Sequence, residues 1–443
     1  MASFFIIFFI FLFVGNVSTS APETTEDTAK NQILIPTYEH KESPAKPTRP
    51  PEPPTEKIES EFSKESLKKI ETVADKKLKS MQFNGTFLIA IGDEVIYHKA
   101  MGYSDAEKKI KNTLNTKYEI GSCTKQFTAA AVAKLAQEKK LSLDDSVTKY
   151  IKGLKIPKSV KIHHLINMSS GLPDYLNQYI YLLEAEERDV DSVFSDEELI
   201  EWVNSMGMNF NAGDYFSYCN TNYYLLGMII EKVSGTTYEN YIHDNILYPL
   251  YMDDTSMQMS DTDSKGYLDN NWTKGLKVDS SYFYSAGEIV STTSDMLKWV
   301  SAYADAKVLS EDTLKKATNC GRDGYNYGYG WFVTNDYYYH TGNTELYYAI
   351  DIVTKKRQIK IIGLTNVNNR DLQQTGLSIM SEVEKELFPQ DIATQPPTQP
   401  PTQPPTQKST EKPTLPPTEK PTLPQEENQN ENTDEETTVS EEQ

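Results

Sequence analysis

Cysteine is scarce: Cys123, Cys219 and Cys320 are the only three in 443 residues. That is too few for a small-core scaffold stapled by disulfides. Burial as small core residues is the expected state of Cys123 and Cys219, with a bridge between them as the alternative. Clustered positive charge is also missing from a chain of formal net charge −20. Phosphate neutralisation needs Lys and Arg on one face, so nucleic acid and anionic lipid are excluded as partners. No His-x-x-x-His spacing occurs, and the adjacent pair His163-His164 cannot ligate one ion from one helix face. Neither a metal nor a cofactor is expected. Proline is nearly absent from the middle of the chain. Eight of the 23 prolines precede residue 60, eleven follow residue 390, and four lie in 61–391.

That distribution divides the chain. Phe4 to Val14 is a run of eleven apolar residues, short of the ~20 that cross a bilayer. Small residues follow up to Ala21, so 1–20 reads as a signal peptide and the protein as secreted. An uncleaved membrane anchor is the alternative. Residues 21–60 form a Pro- and Thr-rich linker. Residues 392–443 repeat Thr-Gln-Pro-Pro and Glu-Lys-Pro-Thr-Leu-Pro before an acidic end, a composition that cannot offset its ordering entropy by burial. Residues 1–60 hold 5 basic and 8 acidic groups and 392–443 hold 3 and 10, which leaves −10 of the −20 on 61–391. The middle also carries nearly all the aromatics and can bury a large core. Asn84, Asn167 and Asn271 begin Asn-x-Ser/Thr sequons, glycosylated only where the source is a eukaryote that exports the chain.

Within 61–391, Glu61 to Met81 and Asp371 to Leu387 read as amphipathic helices, the second stopped by Pro389. Ser122 to Gln137 carries an apolar stripe at helical spacing, and Leu225 to Val233 is an apolar helix. Thr86–Ile91 and Glu94–His98 flank Gly92-Asp93 as a hairpin. Strands are expected at Tyr329–Thr334, Leu346–Val353 and Gln358–Leu364. Strand groups at each end with helices between them argue an α+β fold: an antiparallel sheet flanked by helices, with an inserted, mainly helical region.

Three short motifs carry the chemistry. Ser122 and Lys125 lie three apart at the start of a helix, so Oγ and Nζ can meet beside unpaired backbone N–H groups. A partly desolvated Lys125 can accept the Ser122 proton. Tyr218 and Asn220 sit in a polar, aromatic stretch entering an apolar helix. A phenol near the lysine is expected to have a lowered pKa and to shuttle protons. His340-Thr341-Gly342 stands directly before an expected strand. There His340 can bond Tyr218 or a substrate carboxylate, Thr341 can donate to that carboxylate, and Gly342 leaves room for a substrate chain along the strand edge.

With these motifs in this order, the chain resembles the serine β-lactamase and D-Ala-D-Ala peptidase superfamily, in its class C β-lactamase-related branch of esterases and peptidases. Tyr118 to Ala130, Leu141 to Asp145, His164 to Tyr175, Tyr223 to Gly235, Ser285 to Gly287 and Gly328 to Trp331 also resemble that branch. The likeness covers about residues 83–388. It implies an acylated Ser122, proton transfer shared by Lys125 and Tyr218, and an Asn220 that orients substrate amide or Lys125. It also implies an oxyanion hole from the backbone N–H groups of Ser122 and Asn343. His340 stands where β-lactamases have lysine, which favours an ester or amide substrate, small molecule or peptide, over antibiotics. Asn343 and Leu346 replace usual glycines and are expected to narrow the groove or twist the edge strand. Ala212 and Tyr251 replace a usual Pro and Gly in turns. The competing reading is a non-catalytic surface or binding protein that uses a degenerate cleft.

Overall fold

In a computed structural model, the described residues are 49, 60–184, 192–260, 263–318 and 326–392. The expectations for the leader, most of the linker, the tail and Cys320 lie outside them. The chain divides into two units at Met380/Ser381.

In the first unit six strands form one antiparallel sheet: β1 Gly85–Ile91, β2 Glu94–Met101, β3 Phe332–Val333, β4 Tyr337–Asn343, β5 Tyr348–Thr354 and β6 Ile359–Thr365, ordered β2-β1-β6-β5-β4-β3. Both faces of the central strands are buried, which is why β1, β5 and β6 read as largely apolar runs rather than alternating ones, interrupted by the buried Asp351 in β5 and Lys360 in β6. Leu88, Ala349, Val353, Ile362 and Leu364 join the main core. Ile350, Ile352 and Ile361 face away and meet Gly376 of the helix Leu372–Leu387.

Between β2 and β3 runs the helical region. Its buried axis is α1, Thr124–Gln137, in which all residues but Lys134, Ala136 and Gln137 are buried. Such a helix must sit inside the protein, not on its surface. Beside it pack α2, Asn220–Ser234, and α3, Thr293–Ala304. Trp299 of α3 stacks on Phe127 of α1 at 4.0 Å. The α+β architecture matches the sequence expectation.

Two strand expectations change. His340 lies inside β4, not before a strand. Of Tyr329–Thr334 only two residues pair, because Gly330 (φ +79°) lies against α1, where a Cβ would stand 2.6 Å from the Lys125 carbonyl oxygen. The second unit contributes the end of the helix Leu372–Leu387 and a short helix, Pro389–Ile392. Pro389 ends one helix and opens another at a position that needs no N–H.

Among the described residues no helix is long and apolar enough to cross a membrane.

Candidate active site

Ser122 is the middle residue of a 3-10 turn, Gly121–Cys123, that runs directly into α1. It is half-buried, while Lys125, one turn on, has no exposed surface. Lys125 Nζ donates to Ser122 Oγ at 2.9 Å, Asn220 Oδ1 at 2.9 Å and the Ala286 carbonyl oxygen at 2.8 Å. Burial pulls its pKa down to about 7, against an opposing pull from Asp174. Three acceptors suit the ammonium. The neutral amine also fits, with two N–H groups on Asn220 and Ala286 and its lone pair toward the Ser122 hydroxyl.

Asn220 is the first residue of α2, and Asp174 fixes it. Asp174 Oδ2 accepts from the Asn220 backbone N at 3.0 Å and from Nδ2 at 2.9 Å, which turns Oδ1 toward Lys125. Sequence reasoning does not single out Asp174 as a site residue. Its only signal is the carboxylate that follows Ser-Gly-Leu-Pro.

Tyr218 lies two residues before α2. Its ring stacks on Phe332 at 6.1 Å, and Lys125 Nζ lies 5.0 Å from the ring centroid. The expected drop in its pKa does not occur. Burial raises it well above the ordinary phenol value and outweighs the opposing pull of Ser122, so Tyr218 is a proton donor at neutral pH.

His340 is 1% exposed. Nδ1 lies 2.7 Å from the Thr341 carbonyl oxygen, which can only accept, so Nδ1 carries the proton and Nε2 accepts from Tyr327 Oη at 3.0 Å. Burial and the charge on Lys125 push its pKa down to about 3. His340 therefore hydrogen-bonds Tyr327 rather than Tyr218, whose ring lies 6.2 Å from the imidazole, and Tyr327 is a second residue that sequence reasoning misses.

Gly342 is needed for backbone packing. A Cβ there would lie 1.8 Å from the Ile120 carbonyl oxygen, and one on Gly121 (φ +49°) would lie 2.8 Å from Asn343 N. The Asn343 N–H is thus seated beside the turn that carries Ser122. Leu346 does not narrow the groove. It is 8% exposed and fills the space over Gly266 and Gly275, where a Cβ would approach it to 2.5 Å. Tyr251 keeps the left-handed φ (+58°) that a usual glycine would favour, and the Arg49 guanidinium covers its ring at 3.8 Å.

Cys123 and Cys219 are free and buried. Among the described residues no group of three or more His, Cys, Asp or Glu could hold a metal. A cavity of about 660 Å³ opens elsewhere, beside Asp75, Lys99, Tyr103 and Trp272. It is lined by no Ser, Thr or Cys, so chemistry rather than volume locates the site.

The family model described as Beta-lactamase matches residues 70–381. Protein flp of Staphylococcus aureus (strain MRSA252) is 28% identical over 330 residues, covering 70% of this chain and 64% of that protein. Penicillin-binding protein 4* of Bacillus subtilis (strain 168) is 27% identical over 292 residues, covering 60% and 63%. The chain thus spans under two thirds of the length of these curated relatives. Among solved structures, the octameric penicillin-binding protein homologue from Pyrococcus abyssi superposes with a TM-score of 0.63 at 28% identity, covering 72% of this chain and 79% of that one. D-amino acid amidase from Ochrobactrum anthropi SV3 superposes at 0.59, with 21% identity over 74% and 99%. That second likeness is one of fold.

Proposed function

Since the chain belongs to the β-lactamase family, we propose that it is a serine hydrolase acting on amide or ester bonds and that it works through an acyl-enzyme at Ser122 on uncharged substrates. The observation that carries this reading is the 2.9 Å contact between Ser122 Oγ and a lysine whose pKa is about 7.

Neutral Lys125 takes the Ser122 proton as Oγ attacks the carbonyl carbon. The developing oxyanion is held by the N–H groups of Ser122 and Asn343, each donor contributing roughly 3 kcal/mol. Tyr218 protonates the departing alcohol or amine and is reprotonated from Lys125. Water then attacks the ester on Ser122 by the reverse proton route and frees the acid.

The substrate class follows from what the strand edge withholds. His340 is neutral with both ring nitrogens engaged. The imidazole expected to grip a carboxylate is occupied. The aromatic wall of Tyr218 and Phe332 favours an apolar group instead. The leader Phe4–Val14 supports an extracellular setting.

A matched pair of aryl esters, one neutral and one carrying a carboxylate on the acyl part, tests this. The neutral ester is expected to show kcat/KM higher by about tenfold or more, the scale of one missing charge-assisted bond. Equal or better turnover of the carboxylate would overturn the assignment.

A further inference from the structure

β3 pairs with β4 only at Tyr338 and Tyr339. Among the described residues, the edge from His340 to Asn343 therefore has no strand neighbour on that side, although this is the stretch that faces the nucleophile. On its other side it pairs with β5, where His340 stands opposite Asp351.

Asp351 is fully buried on the sheet face turned toward α1. Its Oδ1 accepts from the His340 backbone N at 3.0 Å. Gln126 Nε2 reaches both its oxygens, at 2.8 and 2.7 Å, and Gln126 Oε1 in turn accepts from Trp299 Nε1 at 2.7 Å. Gln126 follows the lysine of the nucleophile motif directly. One carboxylate thus ties the strand edge to the helix that carries Lys125 and continues from the Ser122 turn.

Packing alone does not call for a carboxylate here. Ala349 and Val353, two residues away on the same face, are apolar core. A hydrophobic residue in place of a buried charge is often neutral or stabilising. Burial raises the Asp351 pKa to about 7, so keeping the charge costs stability. Both groups that reach its oxygens are donors, as an anion requires.

We propose that Asp351 is a positioning residue for acyl transfer: through Gln126 and the His340 N–H it holds the edge His340–Asn343 in register with Ser122. The inference rests on the reading of Ser122 as nucleophile. Asp351→Asn turns an amide N–H₂ toward Gln126 Nε2. Gln126 cannot flip in response, because Trp299 Nε1 needs its oxygen. Gln126→Glu alone sets two carboxylates together. The double variant restores every bond but one, the counterpart of Gln126 Nε2 to Asp351 Oδ1. The carboxylate it places at position 126 accepts from Trp299 and from the new amide at position 351, whose own oxygen accepts from His340 N.

Each single variant is expected to lose about 10- to 100-fold in kcat with KM changed less than about threefold, the scale of a sub-ångström misplacement. The double variant is expected to return to within about threefold of the parent, a reciprocal rescue that measures coupling. An Asp351→Asn protein with parental kcat would overturn the proposal. So would a double variant that regains the parental unfolding temperature without regaining kcat, because the network would then only hold the fold. If the parent itself acylates at no serine, the hydrolase reading fails instead, and amide hydrogen exchange at His340 decides. Slow exchange in the parent and the double variant with fast exchange in Asp351→Asn upholds the clamp, and equal protection in all three overturns it.

Discussion

Gly342 meets Ile120 backbone to backbone, with room for a hydrogen but not a methyl: a Cβ would lie 1.8 Å from the Ile120 carbonyl oxygen. This contact brings the substrate strand against the nucleophile turn. Gly342→Ala is expected to push them apart, costing about 1–3 kcal/mol of stability and about 100-fold in acylation rate. Stopped-flow acylation beside thermal unfolding measures both. An alanine variant with parental acylation would mean that the turn and the strand do not act as one unit.

The pH dependence of rate and stability has a defined sign. Lys125 has a folded pKa of about 7 against an ordinary 10.5. kcat/KM is therefore expected to rise with pH through about 7, as the amine becomes a base, and a Lys125→Met protein is expected to lack that limb. Between about 7 and 10.5 the unfolded chain holds a proton that the folded chain does not. The Lys125 contribution to stability is thus full above 10.5 and lost as pH falls to about 7, below which it is flat. Denaturant titrations across this window on parent and Lys125→Met check the sign. His340, held neutral with its pKa at about 3, adds no inflection between about pH 5 and 8.

Asp174 acts on Lys125 through Asn220. Asp174→Ala leaves the Asn220 N–H and amide without their acceptor. The expected cost is about 1–3 kcal/mol of stability, together with a fall of about tenfold or more in kcat, one hydrogen bond's worth of transition-state geometry. Parental kinetics in this variant would show that Asn220 holds its orientation without help.

Two of the three sequons, at Asn84 and Asn271, differ in what the fold permits. Asn84 is 4% exposed, and its Nδ2 donates to the Tyr103 carbonyl oxygen at 3.0 Å and to Asn366 Oδ1 at 2.6 Å. Asn271 is exposed. Asn84→Ala is expected to destabilise by about 2 kcal/mol or more, and Asn271→Gln by less than about 0.5 kcal/mol. Secreted from an N-glycosylating host, folded protein is expected to carry a glycan at Asn271 and none at Asn84. Peptide mapping of the secreted product reads this directly.

How much of this is legible in the sequence depends on what each feature needs. Spacing brings Ser122 and Lys125 together but does not single them out, since Ser43/Lys46, Ser66/Lys69, Ser146/Lys149 and Ser409/Lys412 share it; the apolar helix that follows does. Tyr218 and Asn220 are likewise marked by context, the polar and aromatic stretch entering α2, because Tyr175/Asn177 and Tyr238/Asn240 have the same spacing. Burial does not follow from spacing, so a nearby cation points to a fall in the Tyr218 pKa when desolvation in fact raises it. Partner choice is equally hidden: His340 turns to Tyr327, and nothing in Tyr-Asn-Tyr-Gly announces that. Asp351 sits inside the apolar run Tyr348–Thr354, where periodicity registers a strand and says nothing of one carboxylate facing Gln126. Leu346 has the bulk to block a groove, but the loop glycines Gly266 and Gly275 make room for it elsewhere.

The central claim is a covalent bond from Ser122 to substrate carbon. Acid-quenched turnover of a slow neutral ester, followed by peptide mass mapping, tests it most directly. The account predicts the acyl mass on the peptide containing Ser122, absent in Ser122→Ala. Turnover with no acyl adduct there, or with the adduct on another residue, would contradict it.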